Sequence, residues 1–112
     1  MTTQEQAQLR ILNIVTTEPR LNQRQLAERL SISLGKTNYL LKALLEKGLI
    51  KTNNFRRNDN KLAYLYLLTP EGTAAKLRLT RAYLTRKEAE YLALKSEIET
   101  MRTELAAQEG QA

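Results

Sequence analysis

The chain contains no cysteine, no histidine and no tryptophan, and has two prolines, four glycines and one phenylalanine in 112 residues. Without cysteine there are no disulfides, thiolate metal sites or thiol nucleophiles. Without histidine, the commonest general base and the commonest metal ligand are both missing. The Lys, Tyr, Asp, Glu, Ser and Thr that remain show no spacing that brings a nucleophile to a base, so no catalytic residue, metal site or cofactor is assigned and no enzyme is expected. No apolar run approaches membrane-spanning length, and the opening MTTQEQAQLRILNIV lacks the charged segment, apolar core and small-residue site of a signal peptide. A soluble cytoplasmic protein without membrane contact is the expectation.

What the chain does have is positive charge. The formal net charge is +6 and the pI about 9.8, so polyanions are attracted to it. The charge is unevenly placed. Residues 36–61 hold Lys36, Lys42, Lys47, Lys51, Arg56, Arg57 and Lys61 against Glu46 and Asp59, a net of +5, whereas residues 88–112 hold six glutamates against Lys95 and Arg102, a net of −4. The middle reads as a polyanion contact and the tail does not.

Hydrophobic periodicity gives the elements. Ala7, Ile11, Leu12, Ile14 and Val15 fall at helical spacing from Gln4 to about Thr17, and Pro19 stops that helix. Asn22 is an N-cap with Gln25 three residues on, opening a short helix with Leu26, Ala27 and Leu30 on one side. Ser33 caps again, and residues 34–47 follow with Thr37, Leu40, Leu41, Leu44 and Leu45 as an inward stripe before Gly48. The period then changes to two. Leu49–Thr52 starts a strand and Leu62–Leu68 forms a second, with Leu62, Tyr64, Tyr66 and Leu68 on one face. Between them NNFRRNDNK, residues 53–61, is a basic hairpin tip in which Asn58, Asp59 and Asn60 tolerate tight turns. Thr69-Pro70-Glu71 then opens a long helix reaching about Ala107, with a frayed end beyond. At about 1.5 Å per residue that helix exceeds the expected width of the domain, so part of it should project or find a partner.

The second helix, a tight turn and the third helix, NQRQLAERLSISLGKTNYLLKALLEKGLI, have the pattern of a helix-turn-helix. With Thr37, Leu41 and Leu44 inward, the outward positions are Leu34, Gly35, Asn38, Tyr39 and Lys42, with Lys36 at the edge. Asn38 offers an amide to a base edge, Tyr39 a hydroxyl to phosphate or a ring to a thymine methyl, and Lys36 and Lys42 offer charge.

LLEKGLI, the basic hairpin and LYLLTPEG together resemble the winged helix-turn-helix of MarR-type transcriptional regulators, most closely the short MarR-like group associated with exopolysaccharide genes. The resemblance covers residues 5 to about 75. With the elements above it gives a mainly α (α+β) winged helix-turn-helix fold of three helices and a two-stranded β-wing, followed by a long C-terminal helix that the heptads described below make a coiled coil. It also implies a bacterial regulator that binds double-stranded DNA, with a link to exopolysaccharide genes. Ser33, Leu34, Gly35, Lys36, Asn38, Tyr39 and Lys42 would occupy recognition-helix positions in the major groove. Arg56, Arg57, Asn58 and Lys61 would occupy the wing, and Asn22 and Gln23 would lie near a phosphate at a helix N-terminus. The chain lacks the N-terminal extension and second C-terminal helix of larger MarR proteins, which argues against their interdomain ligand pocket. No small-molecule effector is assigned.

The division expected is a DNA-binding domain over 1–69 and a dimerisation helix over 70–112. Leu77, Leu84, Tyr91, Ile98 and Leu105 recur every seven residues, and Leu94 and Met101 fill the d position of the later heptads. Thr80 and Lys87 hold that position earlier, so the seam strengthens beyond Tyr91 and the first turns fold back on the domain. Homodimerisation through this seam is expected, parallel or antiparallel. A second reading makes the chain a winged-helix adaptor whose basic face meets an acidic protein.

Overall fold

A computed structural model describes residues 2–56 and 62–111, without the side chains of 54–56, 62–64 and 111. In order the elements are α1 (Thr3–Thr17), α2 (Gln23–Leu30), α3 (Leu34–Glu46), β1 (Ile50–Arg56), β2 (Leu62–Leu68) and α4 (Pro70–Gln111). Met1–Thr80 and Arg81–Ala112 are two compact units. The fold is a winged helix-turn-helix, mainly helical, with a two-stranded antiparallel sheet and a long C-terminal helix, as the sequence predicts.

Each of the first three helices starts at a side chain that accepts from an otherwise unpaired backbone N–H. Thr2 and Glu5 form a reciprocal capping box on α1, at 3.1 and 3.2 Å. The hydrogen bond from the Thr2 backbone is the main reason the Glu5 carboxyl lies below its ordinary pKa. Asn22 and Gln25 make the same box on α2, with Asn22 Oδ1 accepting from the Gln25 amide at 2.7 Å and Gln25 Oε1 accepting from the Asn22 amide at 3.0 Å. Ser33 Oγ accepts from the Lys36 amide at 3.0 Å and opens α3.

The core lies where α1, α2 and α3 meet. Ile11, Leu12, Leu26, Leu40, Leu41 and Leu44 are fully buried there, each contributing about 2 kcal/mol relative to exposure. Thr37 is buried with them, its hydroxyl donating to the Ser33 carbonyl at 2.9 Å. One predicted inward residue is not inward: Leu45 is 37% exposed. It lies about 100° round the helix from Leu44, past the arc that Thr37, Leu40, Leu41 and Leu44 bury.

The turn between α2 and α3 is held from outside itself. Ser31 ends α2 with φ 57°, a left-handed conformation unusual for a residue other than glycine. The Arg10 guanidinium, from α1, donates to the Leu30 and Arg29 carbonyls at 3.2 Å, satisfying acceptors that the helix end leaves without intrahelical partners. Gly48, with φ 72°, ends α3.

β1 and β2 pair from Ile50↔Leu68 to Arg56↔Leu62. Asn53–Arg56, expected in the hairpin tip, therefore belong to strand. The tip residues Arg57, Asn58 and Lys61 and the Arg56 side chain lie outside the described residues. Ile50 and Tyr66 are buried at the base of the sheet. The Tyr66 amide donates to the Pro19 carbonyl at 3.0 Å, so β2 is tied to the α1–α2 connection.

Thr69 begins α4 as predicted. Its hydroxyl accepts from the Gly72 amide at 2.9 Å and donates to the Gly48 carbonyl at 2.6 Å. Ala75 and Leu79 are buried in the first unit, in keeping with first turns that fold back on the domain, while Leu77 is exposed. In the second unit Leu84, Tyr91, Leu92, Leu94, Met101 and Leu105 are exposed and Ile98 is half-buried. Glu90 pairs with both Arg86 and Lys87 at 3.1 Å, and the Lys87 bond is the main reason its carboxyl titrates below the ordinary range. No helix among the described residues is long and apolar enough to cross a membrane.

Gly72 allows a testable statement about this packing. A Cβ there would sit 1.9 Å from the Leu49 carbonyl oxygen, a backbone atom, whereas one at Gly35 meets nothing within 4 Å. Gly72→Ala is expected to destabilise by about 3 kcal/mol, and Gly35→Ala to stabilise by about 0.5–1 kcal/mol through helix propensity. Urea denaturation of both variants checks the contrast.

Candidate nucleic-acid interface

α3 turns one face to the core and leaves the other open. Ser33, Leu34, Gly35, Lys36, Tyr39 and Lys42 are exposed, and Asn38 is half-buried. Leu34 is 45% exposed and Tyr39 60%. Of the positions that the helical period turns outward, Leu34, Gly35, Tyr39 and Lys42 are exposed, as is Lys36 at the edge, whereas Asn38 is half-buried because its side chain turns to Gln23.

The polar members of the set are partly engaged within the protein. Ser33 Oγ and Asn22 Oδ1 serve as helix caps. Asn38 Nδ2 donates to Gln23 Oε1 at 3.0 Å, and Gln23 Nε2 lies 3.5 Å from the Tyr66 hydroxyl, a long hydrogen bond. The chain of contacts runs from the middle of α3, through the first residue of α2, to strand β2. Sequence reasoning placed Gln23 and Asn38 near DNA separately and gave Tyr66 no role beyond a strand face. The pairing depends on residues 15 and 43 positions apart, which no local period reveals.

Exposed cations lie on α2, α3 and β1. Lys36 and Lys42 stand on α3, Lys47 follows its end, and Lys51 is exposed on β1. Arg24 is exposed on α2, and Arg29 pairs with Glu18. Arg56 ends β1, so the strand carries the backbone toward the basic residues 57–61. Among the described residues, no group of three or more acidic side chains could hold a metal ion.

A capped helix, a tight turn, a second helix with one free face and an adjoining antiparallel hairpin define the winged helix-turn-helix class. In agreement, residues 4–51 match the family described as winged helix-turn-helix DNA-binding. Similar solved structures include the zinc-responsive MarR family member ZitR of Lactococcus lactis, 28% identical over 84% of this chain and 60% of that one, with TM-score 0.59. The PcaV transcriptional regulator of Streptomyces coelicolor is 25% identical over 93% of this chain and 79% of that one, with TM-score 0.60. MepR, a regulator of the Staphylococcus aureus multidrug efflux pump MepA, shares the fold at 20% identity over 96% and 77% of the two chains, with TM-score 0.62. No curated protein matches the chain in sequence. The fold and these neighbours support a DNA-binding transcriptional regulator.

The Asn38–Gln23 bond has a consequence for any binding assay. Asn38→Ala should lower the stability of the free protein by about 1 kcal/mol, because it removes a half-buried hydrogen bond and leaves the Gln23 carbonyl oxygen without that donor. Chemical denaturation without DNA measures this; a shift under 0.3 kcal/mol would show that the bond contributes little.

Proposed function

We propose that the chain is a dimeric, sequence-specific DNA-binding regulator of transcription. The observation that carries this reading is the outer face of α3, where Lys36, Tyr39 and Lys42 are exposed in a winged helix-turn-helix fold. In this reading α3, expected over 34–47 and formed by Leu34–Glu46, enters the major groove, and the wing, residues 53–61, meets backbone or minor groove through Arg56, Arg57, Asn58 and Lys61. Asn22 and Gln23 approach a phosphate at the start of α2. The resemblance to exopolysaccharide-associated MarR-like proteins points to exopolysaccharide genes as targets. The zinc response of ZitR is not carried over, since this chain has neither histidine nor cysteine.

Dimerisation is assigned to α4 through Leu77, Leu84, Tyr91, Leu94, Ile98, Met101 and Leu105. Six of these are exposed, a larger apolar stripe than a single helix ordinarily leaves in water. A two-fold pairing would present two copies of α3 to a pseudo-palindromic site.

Two measurements test these assignments. Fluorescence anisotropy on a duplex from the gene's own upstream region, against a scrambled duplex over a salt series, should show tighter binding to the former and a steep salt dependence. Lys36→Ala, Lys42→Ala, Arg56→Ala and Arg57→Ala should each reduce the log–log salt slope by about 2, because the dimer loses one phosphate contact from each subunit. Binding indifferent to salt would overturn the phosphate assignment. Separately, Leu94→Lys with Ile98→Lys should halve the mass seen by light scattering; an unchanged mass would place the dimer contact elsewhere.

A further inference from the structure

We infer that Leu34 and Tyr39 read the 5-methyl groups of thymines in the major groove. This rests on the DNA-binding reading above and deepens it by naming the chemical feature of the site that α3 recognises.

The outer face of α3 carries few uncharged polar side chains. Its one side-chain amide, on Asn38, already donates to Gln23. Its hydroxyl at Ser33 caps the helix. It carries no arginine or glutamine, and its charged groups able to hydrogen-bond a base edge are Lys36, Lys42 and, at the far end of the helix, Glu46. Lys36 and Lys42 supply charge suited to phosphate. What stands out on the exposed surface is two large side chains with apolar bodies: a leucine 45% exposed in the first turn and a tyrosine 60% exposed five residues later, about 140° round the helix.

Position strengthens the point. The N-terminal residues of a recognition helix are the ones that meet base edges. Leu34 is the first residue of α3 and does not belong to the buried arc of Thr37, Leu40, Leu41 and Leu44. At about 100° per residue, Gly35 lies between Leu34 and Tyr39 around the helix. A Cβ on Gly35 would meet nothing within 4 Å, so the fold gives no reason for a glycine that weakens the helix. The gap it leaves between the two apolar side chains allows a groove floor to come close. Among the four bases only thymine presents an apolar group there, its C5 methyl.

The test uses the full chain and changes only the DNA. A preferred duplex is selected from a random pool, and each thymine in it is replaced singly by deoxyuridine, which removes the methyl and nothing else. One or two thymines in each half-site should lose about fourfold in affinity on replacement, the value of one buried methyl-sized group. Leu34→Ala or Tyr39→Ala should bind the thymine duplex more weakly and become indifferent to deoxyuridine at the matching position. If every replacement stays within 1.5-fold while a preferred duplex exists, the methyl reading is overturned and the DNA-binding reading stands. If no duplex is enriched, both readings fall.

Discussion

The Leu49 carbonyl is the point on which the arrangement of the first unit depends. It accepts from the Thr69 amide at 3.1 Å, and the Gly72 backbone lies against it so closely that no side chain fits between. Thr69 completes the joint by donating its hydroxyl to the Gly48 carbonyl while accepting from the Gly72 amide. The end of α3, the base of the hairpin and the start of α4 are therefore fixed to one another by backbone atoms. Since Leu49 directly precedes β1, the same joint sets where the hairpin leaves α3. A glycine at 72 and a threonine at 69 are both required, one for its missing Cβ and one for a hydroxyl that donates and accepts at once.

A second constraint acts from the other side. Arg10 reaches from α1 to the last carbonyls of α2 and stabilises the turn in which Ser31 adopts a left-handed conformation. The helix-turn-helix is thus held at its turn by α1 and at its far end by α4. Between these supports, α3 commits its apolar arc to the core, and its outer face is free to meet another surface. Several polar groups at this face already have partners inside the protein. Asn38 and Gln23 tie the middle of α3 to the start of α2, and Gln23 reaches on to Tyr66 of β2.

Local chemistry made much of this architecture legible. The capping residues Asn22, Ser33 and Thr69 start their helices as predicted, because a cap is decided by a side chain and a backbone N–H two or three residues away. Gly48 ends α3 for an equally local reason. Leu45 shows where local reading stops: a leucine beside Leu44 looks like core, yet the arc that is buried is chosen by what packs against it. Asn53–Arg56 look like turn by composition but pair with β2, because strand length is set by the partner strand rather than by propensity.

By itself the sequence determined the starts of α2, α3 and α4, the change of period at Gly48, the basic middle and the heptad stripe of the tail, although α4 runs on to Gln111, past the end expected near Ala107. All of these depend on residues within a few positions of one another or on simple sums of charge. Only the tertiary structure decided that Asn38 is held by Gln23, that Tyr66 stands behind Gln23, that Arg10 secures the turn and that Gly72 touches the Leu49 carbonyl. Those contacts join residues far apart in the chain, and it is the packing of the core, not any local preference, that brings them within hydrogen-bonding distance.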